Sequence, residues 1–183
     1  MSEKSTNKYA IVDLEATSAS STACIIQVGI VIMQNGRVID EFASDVNPHQ
    51  KLDNHIVHLT GITDQQLSQA PDFSEIARTI FELIEDCIFV AHNVKFDANL
   101  LAEALFMEGF ELRTPRVDTV ELAQVFYPTL EQYNLSYLSR VLNLDLAQAH
   151  TAIEDARATG KLLLHLMDKI ASLPRQTIDM LLT

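Results

Sequence analysis

The chain has 183 residues, 48% of them apolar and 21% charged, which suits one domain with a sizeable core. Thirteen basic and 25 acidic side chains give a net charge of −12, which excludes a general electrostatic attraction to nucleic acid. No apolar run approaches the ~20 residues that span a bilayer, and the polar start Met1–Lys8 lacks the apolar core of a signal peptide. We therefore expect no membrane partner, and only local contacts with any DNA or RNA.

Three apolar, β-branched runs predict strands at Tyr9–Leu14, Ala23–Met33 and Arg37–Val46. The second and third runs are joined across Asn35-Gly36. Asn-Gly between such runs is a strong hairpin signal because both residues tolerate positive φ. The first three strands are therefore expected to form an antiparallel meander.

Helical patterns then take over. Residues 63–66 (Thr-x-x-Gln) and 72–75 (Asp-x-x-Glu) are typical helix starts, and Asn93 is expected to cap a helix that ends near Glu108, before Gly109. The helix after Asp72 presents an apolar face of Ile76, Ile80, Leu83 and Ile84.

Two short strands, Cys87–Ala91 and Arg116–Val120, alternate with these helices. Further helices are predicted near 119–126, near 134–142 and after His150. A strand meander followed by alternating helices and strands is typical of an α/β domain with three layers.

Asp13 and Glu15 lie two residues apart at the end of the first strand, so both project from one face, roughly 6–7 Å apart. Two carboxylates beside a buried strand are costly unless a cation lies between them. Asp97 and Asp155 are each expected in the first turns of a helix, where the helix dipole helps to keep them ionised. Four carboxylates with oxygen-only ligation favour Mg²⁺ or Mn²⁺ over zinc.

A histidine precedes each of these two aspartates by five positions, His92 before Asp97 and His150 before Asp155. A neutral histidine beside such a site can act as a general base, because its pKa lies near working pH. The residue pattern alone does not choose between the two.

Three segments also carry a family resemblance: residues 13–15 (Asp-Leu-Glu), 90–97 (Val-Ala-His-Asn-x-x-Phe-Asp) and 149–156 (Ala-His-x-Ala-x-x-Asp-Ala). They resemble the three motifs of the DEDDh (DnaQ-like) 3′→5′ exonucleases, in the family's order and at family-like spacing over about residues 8–167. Supporting matches are Ile25–Gly29, Leu59–Thr63 and Val117–Thr119.

The resemblance implies a ribonuclease H-like three-layer fold, with a central mixed five-stranded sheet flanked by helices. It also implies two divalent ions, Mg²⁺ or Mn²⁺, and the release of nucleoside 5′-monophosphates from a 3′ end. His150 would deprotonate the attacking water, Asp13 would bridge both ions, and Asp97 would support the second ion through water. The implied catalytic residues are Asp13, Glu15, Asp97, His150 and Asp155, and the implied metal ligands are these four carboxylates.

The chain departs from the family pattern at two places. Gln27 stands where the family usually has glutamate on the second strand. Ala16-Thr17-Ser18 replaces the threonines and glycine that usually follow the first glutamate, where the backbone approaches the terminal nucleotide.

These observations favour a metal-dependent exonuclease acting on DNA 3′ ends, in proofreading or repair, attached to or beside a polymerase or helicase. One alternative is an exoribonuclease, because nothing in the sequence reads the 2′-hydroxyl. An alternative of a different class is a non-catalytic interaction module that retains the fold.

We expect a flexible N-terminus at 1–7, the exonuclease domain at 8–168, and a C-terminal extension or linker at 169–183. Cys24 and Cys87 fall in apolar segments and are expected to be buried, reduced thiols in a cytoplasmic protein. Four other side chains are assigned by context. His92 is expected to order its turn, Asp118 to be a hydrogen-bonded structural residue, and Phe106 and Met107 to lie in the core.

Overall fold

The computed structural model describes residues 7–18, 20, 22–144 and 151–174. The described chain forms five strands and seven helices. They are β1 (Lys8–Ala16), β2 (Ile25–Gln34), β3 (Arg37–Asp45), α1 (Asn54–Thr60), α2 (Asp64–Leu67), α3 (Phe73–Ile84), β4 (Ile88–Ala91), α4 (Val94–Met107), β5 (Arg116–Asp118), α5 (Thr119–Phe126), α6 (Leu135–Val141) and α7 (Ala152–Ala171).

The strands form one mixed sheet in the order β3-β2-β1-β4-β5. β1, β2 and β3 are antiparallel, which confirms the predicted meander, and β4 lies parallel to both β1 and β5. The β2–β3 turn is made by Asn35 and Gly36, whose φ values of 52° and 73° are both positive, as the hairpin requires.

Alternate residues of the central strands face opposite layers of helices. Ala10 and Val12 of β1 belong to the core cluster that packs on α3 and α4. Ile11, between them, belongs to a second cluster with α7. This alternation gives the sheet an apolar layer on each face, and the predicted three-layer domain with a mixed five-stranded sheet is confirmed.

Three predicted helix starts have the expected capping bonds. The Thr63 hydroxyl accepts from the backbone N–H of Gln66, Asp72 and Glu75 form a complete capping box, and the Thr151 hydroxyl accepts from the N–H of Glu154. α7 ends at Ala171, three residues beyond the predicted domain boundary at 168.

The prediction that Asn93 caps α4 is wrong. Asn93 adopts a left-handed conformation, with φ 73° and ψ 58°, and its side chain makes no capping bond. The carboxylate of Asp118, at the end of β5, accepts instead from the backbone N–H groups of Asn93 and Val94, both at 3.1 Å. Asp118 also caps α5 by accepting from the N–H of Val120, so its predicted structural function agrees with its contacts.

Three burial predictions are also wrong. Phe106 and Met107 are 66% and 78% exposed, because they lie on the solvent side of the last turn of α4. Cys24 is exposed just before β2, whereas Cys87 is buried as predicted, and the two thiols are not bonded to each other. No helix in the described part of the chain is long and apolar enough to cross a bilayer.

Candidate active site

The site lies at the C-terminal end of β1, where this strand extends beyond its neighbour β4. β1 pairs with β4 only over Tyr9–Ile11, whereas its pairing with β2 continues to Ala16. One edge of β1 is therefore open next to Asp13 and Glu15. There the carboxylate of Asp97, near the start of α4, accepts a hydrogen bond from the backbone N–H of Leu14 at 2.9 Å.

Three carboxylates converge at this open edge. Asp13, Glu15 and Asp155 each offer one oxygen, and these oxygens lie within 4.8 Å of one another. Asp155 is the fourth residue of α7, and its backbone N–H donates to the backbone carbonyl of Thr151 at 2.9 Å. The Thr151 side chain caps the same turn. A strand end and a helix start, distant in sequence, thus meet at one point.

The acid cluster is electrostatically unfavourable without a cation. Burial raises the pKa of Asp13 well above its usual range, and the charges of Asp97, Asp155 and Glu15 raise it further. Burial and the charge of Asp155 raise the pKa of Glu15 to about 7. Burial raises the pKa of Asp97 to about 7, even though the bond from Leu14 opposes this shift. A cluster of oxygens whose charged forms are disfavoured fits a hard divalent cation.

The structure thus brings Asp13, Glu15 and Asp155 together, with Asp97 close enough to influence the pKa of Asp13. Asp97 is only 6% exposed. His150, predicted to act as the base, lies outside the described residues.

His92 is bound within the fold through both ring nitrogens. Its Nε2 donates to the backbone carbonyl of Tyr133 at 2.6 Å, which leaves Nδ1 to accept from the Thr119 hydroxyl at 2.8 Å. Burial lowers the pKa of the imidazole. These contacts agree with the predicted turn-ordering function and leave neither nitrogen free to take a proton from water.

Thr17, in the segment that departs from the family pattern, is directed inward. It is 7% exposed, and its hydroxyl accepts from the backbone N–H of Cys24 at 3.0 Å and from the Gln50 amide at 3.2 Å. The backbone N–H of Thr17 also donates to the Cys24 carbonyl. This side chain therefore closes the loop between β1 and β2.

A groove of about 410 Å³ runs along the first half of α4. Its polar lining comprises the cation of Lys95, the carboxylate of Glu103, the amides of Asn93 and Asn99, and Ser20. Phe96 and Leu100 supply its apolar lining.

The start of α7 is held against β2 by two residues whose structural function the sequence did not reveal. The Gln27 side-chain oxygen accepts from the backbone N–H of Ala152 at 2.8 Å. A Cβ at Gly29 would lie 2.2 Å from the Ala152 carbonyl carbon, so only glycine fits there. Both residues belong to the segment Ile25–Gly29, which is one of the supporting matches to the family. That match is the feature of the sequence that could have indicated their importance.

Comparison with known proteins shows the family of this chain. The sequence profile of the RNase_T exonuclease family matches residues 10–163. The chain is 39% identical over 175 residues to the "3′-5′ exonuclease DinG" of Staphylococcus aureus strain USA300, covering 94% of this chain and 20% of that protein. It therefore spans about a fifth of the length of the curated relatives it matches.

Solved structures share the fold at lower sequence identity. Exonuclease X in complex with 5′ overhanging duplex DNA has a TM-score of 0.73 and 20% identity, covering 93% of this chain and 98% of that one. The nuclease domain of 3′hExo, a DEDDh family member bound to rAMP, has a TM-score of 0.78 and 16% identity, covering 94% and 98%. The family match spans most of the chain and agrees with the predicted family, so this protein belongs to the RNase_T exonuclease family.

Proposed function

We propose that this domain is a two-metal 3′→5′ exonuclease that hydrolyses DNA from its 3′ end and releases nucleoside 5′-monophosphates. The observation that carries the proposal is the convergence of the Asp13, Glu15 and Asp155 oxygens within 4.8 Å at the open edge of β1. Two bound ions, Mg²⁺ or Mn²⁺, would activate water and stabilise the leaving oxygen of the cleaved phosphodiester.

The proposed functions of the individual groups are those that the family resemblance implies, and the positions of the described carboxylates are compatible with them. Asp13, Glu15 and Asp155 would hold one ion, Asp13 would be shared with the second, and Asp97 would support the second through water. His150 would take the proton from the attacking water. Its place directly before the cap of α7, and the occupied nitrogens of His92, both support this choice of base.

Three arginines of the described chain are engaged by acidic side chains. Arg157 is paired with Glu41 and Glu154, Arg78 with Glu82, and Arg113 with Glu111. With a net charge of −12, these pairs support brief binding of the substrate's end rather than of its length.

DNA is the proposed substrate, with RNA as the alternative. Exonuclease X, a structural neighbour that matches nearly end to end, is in complex with duplex DNA, and another neighbour recognises a histone mRNA stem-loop. The DinG relatives are about five times as long as the matched segment, which supports a domain that works attached to further parts of a longer protein. We propose a polymerase or helicase as that attached or neighbouring part, in proofreading or repair. The unpaired cysteines Cys24 and Cys87 are consistent with a reducing, cytoplasmic setting.

The direct test uses 5′-labelled single-stranded DNA and RNA of matching sequence, incubated with Mn²⁺ or EDTA and resolved on a denaturing gel. A metal-dependent ladder that shortens from the 3′ end is expected, with DNA degraded faster. Asp13→Ala should lower the rate by about 100-fold or more. Asp168→Ala, which removes an exposed carboxylate at the far end of α7, is the matched control and should cut normally. Intact substrate in every lane, with folded protein, would favour the non-catalytic module.

A second measurement separates metal binding from proton transfer. Saturating Mn²⁺ should raise the Tm of the wild type by mass action, and Asp13→Ala should remove most of that gain. His150→Ala should keep the gain and lose turnover. If His92→Ala shows that behaviour and His150→Ala does not, the assignment of the base is wrong.

A further inference from the structure

The carboxamide of Gln27 joins β2 to the first residue of α7. The first N–H groups of a helix have no acceptor within the helix, and the Gln27 Oε1 supplies one to Ala152 at 2.8 Å. Two residues along the same face of β2, Gly29 lies so close to Ala152 and Ile153 that no side chain fits between them. A hydrogen bond and a close backbone contact therefore fix the helix start together.

Asp45 fixes which way this carboxamide is oriented. Its Oδ1 accepts from the Gln27 Nε2 at 2.8 Å, and its Oδ2 accepts from the Gln66 Nε2 at 2.8 Å. A carboxylate only accepts, so the Gln27 nitrogen must face Asp45 and the oxygen must face Ala152. We call this chain of groups, from Gln66 through Asp45 and Gln27 to the Ala152 N–H, the Gln27 relay.

The Gln27 relay acts on the relative position of two candidate metal ligands. Gln27 is the cross-strand partner of Glu15 in the β1–β2 ladder, so the two residues lie side by side on the sheet. Ala152 lies in the same helical turn as Asp155. The relay thus ties the strand next to Glu15 to the turn that carries Asp155.

We propose that Gln27 is a positioning residue for the exonuclease reaction and that Asp45 is its required partner. Through the Ala152 N–H, the Gln27 carboxamide sets the separation of Glu15 and Asp155. A glutamate at position 27 would face the Asp45 carboxylate at hydrogen-bond distance, with like charges. The neutral amide and Asp45 therefore form a matched pair. This inference rests on the proposed function.

The pairing of the carboxamide at position 27 with the carboxylate at position 45 is tested by removing it and by exchanging the two groups. Gln27→Glu places two carboxylates face to face, and Asp45→Ala removes the acceptor that orients the Gln27 carboxamide. In the double variant Gln27→Glu/Asp45→Asn every bond can form again, because the introduced amide donates to the introduced carboxylate and accepts from Gln66. Each single variant should lower kcat by about 10-fold or more with little change in KM. The double variant should recover to within about threefold of the wild type.

Gln69→Glu, an exposed glutamine outside the relay, controls for the added charge and should leave kcat unchanged. All variants are assayed well below their melting temperatures, so that a difference in stability alone does not alter kcat. A double variant no faster than Gln27→Glu alone would overturn the proposal.

Two readouts do not depend on cleavage. The Mn²⁺-induced gain in Tm should be reduced in both single variants and restored in the double variant. In the metal-free protein, Gln27→Leu should speed hydrogen exchange of the Ala152 amide by about 10-fold or more. Unchanged exchange and an unchanged Mn²⁺ response would refute the positioning function. If the wild type cleaves no substrate while the amide exchange and the Mn²⁺ response change as expected, only the proposed function is refuted.

Discussion

The carboxylate of Asp97 provides a hydrogen-bond acceptor at the end of β1, on the side where β1 has no neighbouring strand. Beyond Ile11 the parallel partner β4 no longer covers β1, and the N–H of Leu14 would be buried without an acceptor. One oxygen of Asp97 supplies that acceptor. Because Leu14 lies between Asp13 and Glu15, the backbone that carries both candidate ligands depends on Asp97.

Asparagine and alanine at this position should therefore behave differently. Asp97→Asn keeps an acceptor for Leu14 and removes a charge that raises the pKa of Asp13, so its metal-free Tm at pH 8 should equal or exceed that of the wild type. Asp97→Ala leaves a buried N–H unpaired, which costs about 1–3 kcal/mol, or a Tm decrease of about 3–10 °C. Thermal melts in EDTA measure both. Equal Tm values for the two variants would contradict this account.

At the scale of elements, the contact between β2 and α7 places the last carboxylate. α7 packs on β1 and β2 through its buried face, and its first turn meets β2 at Gly29. Interiors are close-packed, so a backbone-to-backbone contact of this kind tolerates no added atom.

Gly29→Ala should displace the start of α7, because the clashing atoms belong to the Ala152–Ile153 backbone and cannot rotate away. We expect a loss of about 1–3 kcal/mol of unfolding free energy and a smaller Mn²⁺-induced gain in Tm. Gly160→Ala is the matched control on α7 itself. Its new methyl group would meet the flexible end of Met33, and alanine favours the helix. Comparable effects of the two substitutions would count against a special contact at Gly29.

Which elements could be predicted depended on how local their determinants are. The Asn35-Gly36 turn and the Asp72–Glu75 capping box are encoded within four residues, and both form as predicted. The start of α4 is capped by Asp118, which is distant in sequence. The local pattern around Asn93 therefore predicts the wrong capping side chain.

The same distinction applies to the candidate site. The four carboxylates were predicted because their motifs resemble those of a known family, in the same order and at similar spacing. Residues of such motifs meet in the folded protein, and a single sequence without the resemblance does not display that proximity. The bonds from Leu14 to Asp97 and from Ala152 to Gln27 join residues 83 and 125 positions apart. No local pattern predicts such contacts.

At the scale of the whole molecule, the acid cluster ties folding to pH. Glu15 and Asp97 have pKa values raised to about 7, above their ordinary 4.5 and 3.8. Between these ordinary values and pH 7 the folded chain binds more protons than the unfolded chain, so stability is lost as pH rises. The high net negative charge of the chain acts in the same direction.

In EDTA the Tm should fall by about 5 °C or more between pH 5.5 and pH 8. Mn²⁺ should reverse the decrease and have its largest effect at pH 8, because there it no longer competes with bound protons. Glu15→Gln should make the Tm in EDTA depend less on pH. This variant therefore distinguishes the contribution of the acid cluster from that of the high net charge of the chain. A wild-type Tm in EDTA that is constant or rises across this range would show that these carboxylates are not coupled to folding.

Chain order has a consequence for the synthesis of this domain. All five strands are complete at Asp118, but Asp155 arrives only with α7, after α5 and α6. Domains generally fold as units. Until α7 has been made, Ile11, Val31 and Met33 lack the helix that covers them, and Asp155 is missing from the acid cluster. The helix that completes the core is thus the one that completes the proposed metal site, and a copy of this domain that ends before α7 lacks both.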